Sequence, residues 1–348
     1  MSLDLSAAFD CVNPNILLDR LDSDFGVAGT CSSWLRSFLQ GRHQFVHYNY
    51  QTSSPLQLMT GVPQGSVLAP LLFTAHFSPI SRLISSFKVS YHSYADDTTL
   101  YLALGNNLQE SLDLLNSCST ALTNWFLFNN LQLNASKSDC LFVGTKNQLK
   151  LISNLTPTIK VNDEEVQPSA SLKLLGVTFD SQLNFNSHVS SVCQSANFHA
   201  RALKHIRNFI SVDTACIVAC SLIGSRLDYC NLLFTGITDY NITRLQKVQK
   251  VIAKIVLNDF TSPANELLSK LHWLPITSRI EYKNLLLTYK ALAAKEPSYL
   301  SNLQQPYNSV RSLSSSDKFL LNVPFCKTVA FRPGPLPPML LNSSIAFL

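Results

Sequence analysis

Two adjacent carboxylates, Asp96 and Asp97, stand in Tyr94-Ala95-Asp96-Asp97-Thr98, flanked on both sides by β-prone residues. Phe87, Val89, Tyr91 and Tyr94 precede them, and Thr99, Leu100, Tyr101 and Leu102 follow. The pattern predicts a strand pair with the aspartates at the hairpin tip. Neighbouring like charges repel unless a proton or cation neutralises them, so the pair is a candidate ligand for a divalent ion. The same dipeptide also makes an ordinary solvated turn. A third carboxylate, Asp4, follows the apolar Leu3 near the expected carboxyl end of a buried strand, where a rigid sheet can hold a metal ligand. Its alternatives are an edge acid or a cap for the helix starting at Pro14.

A second stretch carries different chemistry. Gly61-Val62-Pro63-Gln64-Gly65-Ser66 feeds directly into the apolar run from Val67 to Phe73. Glycines let backbone approach a ligand closely, and Ser66 can cap a helix whose amino end favours anionic groups. A phosphate or nucleotide could dock there; a tight turn before a core helix would look similar.

The elements that must position these residues follow from periodicity. Helices are expected from Pro14 to Leu21 and from Ser32 to Leu39, then a strand pair over Phe45–Tyr50 and Pro55–Met59. Residues 108–131 place Leu108, Leu112, Leu115, Leu122, Trp125 and Phe126 on one helical face. Strands are expected at Cys140–Val143, Thr158–Val161 and Leu172–Phe179, with Asn162-Asp163 as a turn. Beyond Asn186 the pattern is helical and basic. Arg201, Lys204 and Arg207 come first; Arg244, Lys247, Lys250 and Lys254 then recur at steps of three or four, one stripe on one helix. Such a stripe is either a solvated face or a track for nucleic-acid phosphates. A further helical module, Trp273 to Ala293, has no contact that the sequence specifies.

Composition agrees with an enzyme acting on nucleic acid. Residues 1–185 carry a net charge of −4, residues 186–290 carry +6, and residues 291–348 carry +3. An acidic centre for cations thus precedes a basic region for phosphates. Hydrophobic residues make up 46% and charged residues 14%, which describes chains with real cores. Nine scattered cysteines favour a reducing compartment, and Cys216 and Cys220, four apart, read as core packing rather than zinc ligands. No leader and no membrane-spanning run is evident, so an intracellular protein of cytoplasm or nucleus is expected.

The chain resembles the reverse transcriptase region of non-LTR (LINE-type) retrotransposons. Asp4 with Phe9 looks like motif A, Gly61–Phe73 like motif B, and Tyr94–Asp97 like motif C in its YADD form. Leu133-Asn134 through Lys137 to Gly144 looks like motif D, and Leu174–Asp180 like motif E, the primer-grip hairpin. The resemblance implies an α+β fold: a polymerase palm with a ferredoxin-like antiparallel sheet over residues 1–185, then a basic α-helical thumb and post-polymerase region over 186–300. A poorly ordered Ser/Pro-rich tail would fill 301–348. It implies that Asp4, Asp96 and Asp97 hold two Mg²⁺ ions, with Mn²⁺ as a substitute, for nucleotidyl transfer to a primer 3′-hydroxyl. It makes Phe9 the steric gate against ribonucleotides, Gln64 the support of the incoming nucleotide, and Lys137 the acid that protonates pyrophosphate. Gly61, Gly65 and Tyr94 join Phe9 and Gln64 around the nucleotide, and Leu175 with Gly176 forms the primer grip. The partners would be an RNA template, a DNA primer and deoxynucleoside triphosphates, with Arg244, Lys247, Lys250 and Lys254 on the duplex.

The chain begins on motif A, so the expectation is that the family's fingers and endonuclease are missing and that turnover is impaired. The tail departs from the family, as a late frameshift would make it do. Two expectations stand: an RNA-directed DNA polymerase with its carboxylates intact, and a catalytically inactive retrotransposon remnant that only binds nucleic acid.

Overall fold

The alternating residues around the aspartate pair do form strands. In the computed structural model, residues 1–105, 107–155, 157–162, 164–304 and 321 are described. They divide into two units, Met1–Leu172 and Lys173–Leu348. Asp163, Cys326 and all of the tail beyond Gln304 except Leu321 lie outside the described residues, and with them most of the expected Ser/Pro-rich segment.

In the first unit, Ser90–Tyr94 pairs antiparallel with Asp97–Tyr101, and Tyr94 stands opposite Asp97. Ser2–Leu3 pairs with the other edge of Asp97–Tyr101, Leu3 opposite Thr98, giving a three-stranded sheet with Asp97–Tyr101 in the middle. Thr98 and Leu100 are buried and their neighbours are less so, as a period of two requires. The helix Leu108–Phe128 buries Leu112, Leu115, Cys118, Leu122 and Phe126, and Asn107 caps it by accepting from Glu110 N. Pro14–Phe25 starts with proline in its first turn, is capped by Asn13 and ends at Gly26, whose φ is 67°.

Stacked rings join these pieces. Phe9 lies on Phe73 at 4.4 Å between centroids, Phe73 on Phe77 at 5.3 Å, and Phe77 on Phe126 at 5.7 Å. Phe73 and Phe126 are fully buried, each stabilising the fold by about 1.5–3 kcal/mol relative to exposure. Arg20 ties three helices together, donating to His76 O and, at 2.8 Å, to Asn129 Oδ1, with its guanidinium 5.7 Å above the Trp125 ring.

The second unit begins at Lys173, within the hairpin Ser171–Leu174 and Val177–Asp180. The long helices Asn186–Ile206 and Asp239–Leu257 then run parallel. Asn241 Nδ2 donates to Asn184 O and Asn186 Oδ1 at their starts, and Arg207 Nε donates to Val256 O near their ends. The module of unspecified contact becomes the helix Ile276–Ala294, docked on Asp239–Leu257 by Gln246, which accepts from Ile276 N, and Gln249, which donates to Leu274 O.

Four expectations change. The strand over Cys140–Val143 is only a bridge from Cys140 to Pro168, because its one partner leaves after a single residue. The strand over Leu172–Phe179 is broken by a left-handed turn at Leu175 and Gly176. Phe45–Tyr50 and Pro55–Met59 shift into two short ladders, Arg42–Gln44 with Leu56–Leu58 and His47–Tyr48 with Gln51–Thr52. Cys220 is exposed and Cys216 half-buried, so that pair is not core. Among the described residues no helix is long and apolar enough to cross a membrane.

Candidate active site and nucleic-acid face

Antiparallel register brings the three carboxylates to one end of the sheet. The first strand pairs Ser2 with Thr99 and Leu3 with Thr98, so Asp4 follows at the end of the sheet where Tyr94 stands opposite Asp97 and closes the hairpin. Ala95 makes the tight turn with φ 53°, a left-handed conformation that costs a non-glycine residue about 1–2 kcal/mol. Burial first, then the Asp96 and Asp4 carboxylates, push the Asp97 carboxyl above its ordinary range. Asp4 Oδ2 is buried and has no hydrogen-bond partner. An orphaned carboxylate oxygen beside a carboxyl whose charge is disfavoured is a donor set that suits a hard divalent cation. The side chains are nonetheless not drawn together as a closed cage: among the described residues no cluster of three or more His, Cys, Asp or Glu side chains is gathered at metal-holding distance.

Asp4 is fixed by the segment that carries Lys137. Asp4 N donates to Ser138 Oγ at 3.2 Å, and Asn134 N donates to Asp4 O at 2.9 Å. Ser138 Oγ also donates to Asn134 O at 2.8 Å, closing the short 3₁₀ turn Ala135–Lys137, on which Lys137 is exposed. Tyr94 is 69% exposed, so its ring is available to a ligand rather than committed to the core.

The glycine loop is built onto the residues that follow Asp4. Gly61 N donates to Val12 O at 2.7 Å and Val62 N to Phe9 O at 2.9 Å. Gly61 has φ 90°, and a Cβ there would sit 2.9 Å from Asp10 O and 3.0 Å from Asp10 Cα, so only glycine fits. Gln64 Nε2 donates to Asp10 Oδ1 at 2.8 Å, and Gly65, with φ 85°, has open space around its Cα. Ser66 Oγ accepts from Ala69 N at 3.1 Å, so the helix begins at Ala69 and Ser66 stands three residues before it. Half-buried Phe9 lies beneath this loop, its ring stacked on Phe73. Two positioning residues have no local sequence signal: Asp10, which holds Gln64, and Arg42, which donates to Thr60 O at 2.8 Å and to Gly61 O. Only the folded chain brings Arg42 from its own segment to the loop.

In the second unit, Leu175 with φ 44° and Gly176 with φ 84° make a two-residue hairpin turn. Leu175 is half exposed. Asp180 receives three backbone N–H bonds, from Gln182 at 3.1 Å, Asn184 at 2.9 Å and Phe185 at 2.6 Å, which turn the chain into the Asn186–Ile206 helix. The basic stripe is divided in use. Lys247 is exposed, and Lys250 and Lys254 are half-buried, with Lys254 Nζ 3.4 Å from Phe260 O. Arg244 is engaged, donating to Ser190 Oγ at 2.9 Å and lying 5.5 Å above the Tyr240 ring. Arg207 is buried and serves as the helix tie already described, not as a phosphate contact.

Residues 1–179, just over half the chain, match the family described as reverse transcriptase (RNA-dependent DNA polymerase), and the chain belongs to that family. The match is 24% identical over 229 residues to the probable RNA-directed DNA polymerase from transposon X-element of Drosophila melanogaster, covering 64% of this chain and 24% of that protein. To the RNA-directed DNA polymerase from mobile element jockey of the same species it is 28% identical over 232 residues, 62% of this chain and 23% of that one. The jockey polymerase of Drosophila funebris is 29% identical over 273 residues, 73% of this chain and 27% of that protein. The chain spans about a quarter of the length of the curated relatives it matches. Within the family it is a reverse transcriptase of the LINE, or non-LTR retrotransposon, type.

Proposed function

We propose that the chain is the palm and thumb of an RNA-directed DNA polymerase acting inside the cell, with residues 1–185 as a ferredoxin-like palm and residues 186–300 as the thumb. The observation that carries the proposal is the Asp4 Oδ2 atom, buried without a partner near the sheet end that carries Asp96 and Asp97; burial, with the Asp96 and Asp4 carboxylates, pushes the Asp97 carboxyl above its ordinary range. These three side chains would hold two Mg²⁺, or Mn²⁺, ions, which when bound make the primer 3′-hydroxyl a better nucleophile and neutralise charge on departing pyrophosphate. The protein's own groups do the rest. The backbone of the Gly61–Gly65 loop and the amide of Gln64, held by Asp10, support a deoxynucleoside triphosphate paired with an RNA template. Phe9 closes the space that a 2′-hydroxyl would need, and exposed Lys137 donates a proton to pyrophosphate. Tyr94 lies against the nucleotide or primer end, Leu175 and Gly176 grip the primer backbone, and Arg244, Lys247, Lys250 and Lys254 face the duplex phosphates.

A second reading keeps only binding. It is favoured by the basic helix Asp239–Leu257, where exposed Lys247 needs no metal to meet a phosphate. Extension of a DNA primer on an RNA template with Mg²⁺, compared between the native protein and Asp96→Asn, separates the two. Extension that the substitution abolishes is the expected result. Extension that survives Asp96→Asn overturns the polymerase reading, and duplex binding with no extension supports the binding-only one.

A further inference from the structure

We propose that Tyr229 is the positioning residue of the Leu175–Gly176 turn, holding it in the shape that meets a primer terminus; this rests on the primer-grip reading of that turn. Two-residue hairpin turns with consecutive left-handed residues are normally built from Asn, Asp or Gly. Here the first residue is leucine, whose side chain has no polar atom to satisfy the turn and is itself half exposed. Neither local chemistry nor core packing therefore explains why Leu175 keeps φ 44°.

Tyr229 supplies what is missing. Its hydroxyl donates to Leu175 O at 2.5 Å, across 54 residues of sequence. Its ring lies against Gly176, with Cε1 3.5 Å from where a Cβ would stand. The tyrosine is itself anchored. Tyr229 N donates to Ser225 O at 3.0 Å, Arg226 Nε donates to Ser195 Oγ at 2.9 Å, and Asp228 is paired with Arg279. The ring remains 51% exposed, so its place is set by these ties and by the turn it holds rather than by burial. Tyr229 thus links the position of two helices, through Ser195 and Arg279, to the geometry of a hairpin tip. A displacement of about 1 Å at a reacting terminus can slow chemistry by up to about 10²-fold, so one hydrogen bond there has leverage.

The test uses the full chain with an RNA template and a DNA primer carrying 2-aminopurine at its 3′ end, read by terminal-base fluorescence and by primer extension. Tyr229→Phe keeps the ring and removes the hydroxyl. The expected result is a fall in kcat of about 10-fold, a primer KM within about 2-fold of native, and altered fluorescence, because phosphate contacts elsewhere are untouched. In a Leu175→Gly background, where the turn needs no support, Tyr229→Phe should change kcat by less than about 2-fold. Equal losses in both backgrounds, or no loss in either, overturn the assignment. Gly176→Val separates the two layers. If it disturbs kcat and fluorescence while Tyr229→Phe does not, the grip stands and Tyr229 has no part in it. If Gly176→Val also changes nothing, the grip reading fails and this inference falls with it. Should the native chain extend no primer, the fluorescence of the bound terminus decides by the same comparisons.

Discussion

The two hairpin tips, Ala95-Asp96 and Leu175-Gly176, solve one backbone problem with opposite means. Each has a non-glycine residue in the left-handed region, Ala95 at φ 53° and Leu175 at φ 44°. The first is held by a sheet: its second strand is paired on both sides, and Thr98 and Leu100 are buried beneath it. What that rigidity holds in place is unfavourable, a carboxyl raised above its ordinary range by burial and by two neighbouring carboxylates. The second tip carries no charge and has only a two-stranded ladder, so its shape depends on a side chain from elsewhere, the Tyr229 hydroxyl. Under the proposed roles, the tip for chemistry keeps electrostatic tension that a bound cation would relieve. The tip for positioning would carry no such tension and be fixed by a clamp.

If that contrast is right, the largest effect belongs to the charged tip. Asp4→Asn or Asp96→Asn should lower primer extension by at least about 10³-fold while leaving the thermal midpoint near native, against about 10-fold for Tyr229→Phe. Comparable losses from both tips would erase the distinction. Next comes the loop behind the first tip. Gly61→Ala adds a Cβ 2.9 Å from Asp10 O at φ 90°, and urea unfolding should show a loss of about 2–3 kcal/mol. A loss under about 0.5 kcal/mol would mean that the Asp10–Gly61 contact is loose. The basic helix should give a smaller change. Lys247→Glu, Lys250→Glu and Lys254→Glu combined should weaken duplex binding about 10- to 100-fold and flatten the salt dependence by roughly three counterions. An unchanged slope would reduce the stripe to a solvated face.

The smallest effect probes the tension itself. Because the folded chain holds the Asp97 proton more tightly than the unfolded chain does, stability falls as pH rises from the unfolded carboxylate range through the raised value. Asp97→Asn should therefore stabilise the protein at neutral pH, by well under about 1 kcal/mol since the group is largely exposed and screened. Mg²⁺ should raise the melting temperature of the native protein and do so less for the variant. A variant that melts lower at pH 7 and higher at pH 4 would reverse the sign and remove the electrostatic half of the comparison.

Legibility tracked the range of the forces involved. The hairpin around Asp96 was readable because β-branched and aromatic residues alternate over a few positions, and the helix Leu108–Phe128 because its apolar face repeats over many turns. The break at Leu175 was hidden, since leucine is a poor turn residue and only the glycine beside it signals one. The helix Lys146–Asn154, with Thr145 and Gln148 forming a capping box, was not anticipated because it is only nine residues long and buries none of them. Within the site, Asp10 and Arg42 were missed for a different reason: their roles are hydrogen bonds to segments 54 and 19 residues away.

By itself the sequence determined the order and spacing of the chemical groups, Asp4, the Gly61–Ser66 loop, Asp96 with Asp97, Lys137, then the basic helix, and with them the family. Side-chain chemistry and local periodicity are written residue by residue, so they need no fold to be read. Tertiary structure decided which of these groups meet and what state each is in. It led Asp4 to the sheet end that carries Asp97, bound the glycine loop to Asp10, turned Arg207 from a basic residue into a buried tie, and brought Tyr229 to the Leu175 carbonyl. Those outcomes depend on contacts between residues distant in sequence, and burial and electrostatic fields exist only once such contacts form.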